Sequence, residues 1–177
     1  TDQFTAASFG SLETAIVSDT TLDGSKLADA IDQANTATDD TSVVFTITAV
    51  NEIQGSEANF TALLTDDDNN QINIANHDLN VNSGKISVDN ANLLDAATGG
   101  DVTASIDTTE TVDELKTLTG THAYTIVIAA GDAETSTADD LNTINGKTSV
   151  AINAAAITDL ASDNITNIQT LLTAGND

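Results

Sequence analysis

The run TDDDNNQIN, Thr65 to Asn73, places Asp66, Asp68 and Asn70 at alternate positions. In a loop, that spacing turns successive side-chain oxygens toward one centre, the donor set of a hard cation such as calcium. The EF-hand pattern is not met, because Gln71 stands where its glycine belongs and His77 where its bidentate glutamate belongs. Nor does GGDVTASID, Gly99 to Asp107, fit the glycine-rich nonapeptide calcium repeat. Asp66, Asp68 and Asn70 are the candidate calcium ligands, weighed against a solvated acidic turn. Asp39 with Asp40, and Asp132 with Glu134, are lesser acidic pairs.

Other chemistry is thinly represented. His77 and His122 are the 2 histidines of the chain, and they are not in the H-E-x-x-H spacing of a zinc site. Each adjoins an expected strand and reads as an exposed or hydrogen-bonded side chain. There is no G-x-S-x-G elbow for a serine nucleophile, and Asp107-Thr108-Thr109 lacks the glycine of an aspartic-protease turn. Among 28 acids a pair could meet in space for glycoside hydrolysis. Sugar sites, however, are walled with aromatic rings, and the chain has 1 Tyr and 4 Phe. Asn59-Phe60-Thr61 and Asn164-Ile165-Thr166 match the N-glycosylation pattern, but both fall on expected helices. These readings point to a protein that is not an enzyme.

Composition narrows the environment. Against 28 acids stand 4 lysines and no arginine, a formal charge of -24 that repels nucleic acid and anionic membranes. With no Cys there is no disulfide framework, thiolate metal site or thiol nucleophile. Apolar residues make up 40% and are strongly patterned, which distinguishes the chain from a disordered acidic tail. No apolar run approaches the ~20 residues of a membrane span. The absence of an initiating Met is the expectation for a processed or excised form.

The elements that would position these residues recur. VTASID, Val102 to Asp107, alternates as a strand does, and Val112, Leu115 and Leu118 then fall at helical spacing behind a Thr111/Glu114 capping box, with Gly120 as the stop. The cycle returns with a strand at Thr125 to Ala129, a cap at Thr137, a face of Ala138, Leu141 and Ile144, and Gly146. It returns again with Ser149 to Asn153, Ser162 as a cap, the face Ile165, Ile168, Leu171 and Leu172, and Gly175. Strand starts at Val102, Tyr124 and Ser149 lie 22 and 25 residues apart. Residues 86–177 carry these clearer repeats and residues 1–85 a looser version of one array. There, Val43 to Val50 reads as strand, and Ser56 caps a helix bearing Phe60, Leu63 and Leu64. A helix from Ser25 to about Ala34 buries Leu27, Ala30, Ile31 and Ala34, Phe9 to Ser18 fits strand or helix, and Ile72 to Val81 and Ile86 to Leu94 leave little room for helix, so that the repeat there shortens to mostly strand.

A strand plus a two-turn helix cannot bury its own apolar face, so a period of about 22 to 28 residues implies stacking. The expected class is α/β: short strand-helix repeats stacked as a small solenoid with parallel strands, the alternative being an antiparallel β-sandwich with short helices. Its core should contain Val102, Ala104, Ile106, Leu115, Leu118, Ile126, Ile128, Leu141, Ile144, Val150, Ile152, Ile168 and Leu171.

The stretch GDVTASIDTTETVDELKTLTGTHAYTIVIA with ADDLNTINGKTSVAINAAAITDL resembles the Thr/Ala/Asp-rich repeats of giant cell-surface proteins of marine cyanobacteria and related bacteria, and of some phage structural proteins, over about residues 86–175. The resemblance implies an extracellular structural or adhesive module: a stacking spacer or assembly unit of a surface layer, filament or adhesin. A virion fibre or decoration protein, and a carbohydrate-binding or hydrolysing domain, are the alternatives. Its partners would be other copies of itself or flanking repeats, since a solenoid end exposes a strand edge and apolar surface. Calcium, plentiful in such a setting, would relieve repulsion at clusters such as Asp66 to Asp68 and stabilise the fold.

Overall fold

The structure, a computed structural model, describes residues 14–17, 19–38, 43–129, 131 and 136–174. Asp39, Asp40, Asp132, Glu134 and Gly175 lie outside these described residues. The elements run β1 (Thr14–Ile16), β2 (Thr21–Asp23), α1 (Gly24–Thr38), β3 (Val44–Thr46), β4 (Glu52–Ser56), α2 (Glu57–Asp68), β5 (Asp78–Ser83), α3 (Val88–Ala97), β6 (Val102–Ser105), α4 (Val112–Leu115), β7 (Ala123–Thr125), α5 (Ala138–Asn145) and α6 (Ile165–Ala174). The chain is α/β, with a five-stranded parallel sheet in the order β2-β4-β5-β6-β7 and a parallel pair, β1-β3. The antiparallel sandwich is therefore not formed: helices separate consecutive strands of this sheet, the crossover that parallel pairing requires.

By its contacts the chain divides into two units. In the first, residues 1–84 with 96–101, β2 pairs with β4 in the register Thr21↔Glu52, and β4 with β5 in the register Glu52↔Asp78. Side chains alternate across β4, and Ile53 is buried on the inner side, as are Leu27 and Ile31 of α1 and Phe60 and Leu63 of α2, the helices that pack on β4. Ser56 starts α2: its hydroxyl accepts from the Asn59 amide, and Asn59 Oδ1 accepts in return from the Ser56 N–H. That occupies the first of the two glycosylation-pattern asparagines as a cap partner. The helix expected from Ser25 to Ala34 is longer, and the Val43 to Val50 run is strand only over β3.

The second unit, residues 85–95 with 102–177, buries Ala91 and Leu94 of α3 and also Val102, Leu115, Leu118, Tyr124 and Ile144. Thr111 with Glu114 and Thr137 with Asp140 form capping boxes at α4 and α5, as their spacing implies. Helix α3 is a correction to the expectation of little helix after Ile86. Ser87 caps it, its hydroxyl accepting from the Asn90 amide at 3.2 Å, and Val88, Ala91 and Leu94 are buried at three-residue spacing. Two further corrections concern the last repeat. No strand forms over Ser149 to Asn153; the segment makes only parallel bridges, His122↔Thr148 and Val127↔Asn153, because the Val150 amide bonds to Thr148 Oγ1 at 3.1 Å instead of to a ladder. And α6 is capped by Asn164, whose Oδ1 accepts from the Asn167 amide at 2.9 Å, rather than by Ser162.

Of the expected core, nine residues from Val102 to Ile144 are buried. Val150 is exposed, and Ile152, Ile168 and Leu171 are only half-buried. Covering ends with α5.

Candidate functional site

The candidate calcium ligands lie at the end of α2. Asp66 and Asp68 belong to the helix itself, and residues two apart face away from each other around a helix. Asn70 follows in a left-handed conformation, φ 60°. Asp66 is buried, and its carboxyl is pushed up to about 6 by loss of water and, secondarily, by the negative charge of Asp32 on α1. Neighbouring Asp67 turns back instead, its Oδ1 accepting from the Ile74 amide at 3.0 Å. Among the described residues, no three His, Cys, Asp or Glu side chains come together as a metal set.

Both histidines are hydrogen-bonded, and each follows a parallel logic. His77, buried just before β5, donates from Nε2 to the Ile47 carbonyl at 3.0 Å. His122, just before β7, meets Asp95 through Nε2 at 2.6 Å and accepts the Val102 amide on Nδ1 at 3.2 Å. The Val102 bond fixes Nδ1 as the acceptor and so puts the proton on Nε2, facing the carboxylate. A His–Asp pair of this kind could polarise a nucleophile only through Nδ1, and a backbone N–H occupies that atom. Burial works against the Asp95 carboxylate, but the Thr119 hydroxyl and His122 outweigh it and hold the group below its usual range. The Tyr124 ring meets His122 edge to face, 5.5 Å between centroids. Tyr124 is fully buried, and burial raises its hydroxyl above its ordinary value.

A threonine before the following β-segment completes the device in both places. Thr98 donates to the His77 carbonyl at 2.6 Å and accepts the Gly100 amide at 3.0 Å. Thr148 shares its one hydroxyl proton between the Tyr124 and His122 carbonyls, at 2.7 and 3.1 Å, and accepts the Val150 amide. Amide side chains do the same work between helices: Asn92 of α3 donates to the Thr117 carbonyl at 3.1 Å, and Asn142 of α5 to the Asn167 carbonyl at 3.0 Å. Lys116, held by Asp113 at 2.8 Å and Asp140 at 2.7 Å, ties the end of α4 to α5. The sequence reading singled out none of these threonines and asparagines, nor the lysine. The signal that could have found them is a Thr 21 residues after His77 and another 26 residues after His122.

Concave surfaces lie in both units. In the first unit a cleft of about 810 Å³ is rimmed by Asn51, Asn70, Asn73, Asn76 and Asp78. Asp78 is its one carboxylate, and the Phe45 ring beneath it is buried, so no aromatic face is offered to a sugar. In the second unit a groove of about 440 Å³ lies between α5, the segment after Asn153, and α6, lined chiefly by Ile152, Ile157, Leu160 and Leu171 with Asp159 as its carboxylate. Beside it, Ile165 and Leu172 of α6 are 67% and 65% exposed, and α6 has no buried residue. Seven residues apart, those two side chains lie along one line of the helix.

Fold and surfaces together define a small acidic α/β protein with parallel strands. No family model, no curated protein and no solved structure matches the chain. No helix among the described residues is long and apolar enough to cross a membrane.

Proposed function

We propose that the chain is a non-enzymatic structural module of an extracellular surface protein, in which short strand-helix repeats, stacked as a small solenoid, act as a spacer or assembly unit. The observation that carries this reading is the recurrence of the same rung: Thr98 to the His77 carbonyl and Thr148 to the His122 carbonyl, each closed by an amide two residues on. A repeat protein needs such rungs, because each repeat is stable only through its neighbours. Parallel strands taken in sequence order along the sheet support the solenoid arrangement. The resemblance to Thr/Ala/Asp-rich surface repeats, the charge of -24 and the lack of Cys support the surface setting. A coat of carboxylates keeps such a module soluble and apart from anionic surfaces.

The test is location. Antibodies raised against this chain should label intact cells or particles of its natural source. Labelling that appears only after permeabilisation would contradict the proposal.

A further inference from the structure

We propose that α6 is the contact helix of a two-fold dimer of this chain, the exposed stripe of one copy lying along the stripe of the other. The inference rests on the stacking-module reading for its purpose, and on separate observations for its place. Helix α6, ITNIQTLLTA, contains no charged residue, whereas α1 to α5 each carry at least two acids. Two copies of a chain with charge -24 repel one another wherever carboxylates meet. An uncharged helix is where they can approach. The same helix shows Ile165 and Leu172 at 67% and 65% exposure, beside the apolar groove of Ile157, Leu160 and Leu171.

The occupant that fits is a second copy. A basic partner would be drawn to the acids elsewhere on the molecule, and the outward residues Lys26, Asp29, Asp32 and Gln33 of α1 offer no apolar face to receive α6. Ile16, Val44, Leu93 and Val150 are exposed as well, but among the helices described α6 is the one that carries two such side chains on an uncharged face; we therefore set α6 against α6, and a surface meeting its own copy closes as a two-fold pair. A 10-residue helix is only about 15 Å long. The interface is therefore small, at or below the low end of about 1,200 Å², and the dimer is weak, with a dissociation constant in the micromolar range or above.

Sedimentation equilibrium in chelator, from about 5 to 500 µM protein, should show the mean mass rising from 18.1 kDa toward twice that value. Ile165→Asp should weaken association at least ~10-fold; an acid in the first turn suits a helix, so its circular dichroism should match the parent. Since the chain has no Cys, single-cysteine variants give a second readout: Gln169→Cys, next to the stripe, should form a disulfide-linked dimer on oxidation, and Asp29→Cys on α1 should not. A monomer at every concentration, association undiminished in Ile165→Asp, equal cross-linking at both positions, or association that requires calcium would overturn the dimer. None of these results bears on whether the repeats stack, and a failure of stacking would leave them unchanged.

Discussion

Asp66 and Gly120 show how single positions are constrained. The folded Asp66 carboxyl titrates near 6, above the ordinary 3.8, so the native chain holds its proton more tightly than the unfolded chain does. Its contribution is fully present below the unfolded value and is lost as pH rises through 6. Asp66→Asn should accordingly raise stability by about 1 to 2 kcal/mol at pH 7.5 and change it little at pH 4, read by urea unfolding at both pH values. Equal effects at the two would show that the carboxyl is freely solvated. Gly120 has φ 68°, and a Cβ there would come within 2.5 Å of Asp95 Oδ1 and 2.6 Å of His122 Nε2. Gly120→Ala should cost about 1 to 3 kcal/mol by the same assay, whereas alanine at Gly84, which has open space despite φ 84°, bears only the backbone part of that cost. The glycine that reads in the sequence as a helix stop is thus also the gap that lets His122 reach Asp95.

Caps and seams hold the short helices, which at these lengths are not stable alone. Thr137→Ala removes the hydroxyl that accepts the Asp140 amide at 3.1 Å, and should cost about 1 kcal/mol. It should also loosen Asp140, whose carboxylate Lys116 grips, so thermal unfolding of Thr137→Ala with Lys116→Met should show less than the sum of the single effects. Full additivity would separate cap from ion pair. Such caps were legible in the sequence: Ser56, Thr111 and Thr137 each stand three residues before a side chain able to reach back. The parallel class and most of the core from Val102 to Ile144 were legible for a similar reason, since period and burial agree there. Helix α3 was hidden because its inner face uses Ala91 between Val88 and Leu94, a residue too small to mark a stripe. The last repeat misled because Val150 and Ile152 alternate like a buried strand, while Thr148 takes the Val150 amide out of the ladder. The run Asp66 to Asn70 suggested a loop only because its acids mask a helix that continues to Asp68.

With 28 acids against 4 lysines, repulsion acts on the whole body, and the Debye length of ~8 Å in physiological salt leaves near neighbours unscreened. Added sodium chloride should therefore raise the unfolding midpoint. With Asp66 and Asp68 on different sides of α2, calcium at matched ionic strength should raise it no further. A calcium-specific rise abolished by Asp68→Asn would instead establish an ion site at Asp66, Asp68 and Asn70. The reading of stacked repeats is tested most directly by stretching one molecule from its ends in optical tweezers. Repeats held by neighbour-to-neighbour rungs should yield in successive steps, each releasing one strand-helix unit of about 22 to 25 residues, roughly 80 Å of chain. A single rupture releasing the whole chain at once, with no intermediate extension at any pulling rate, would contradict it.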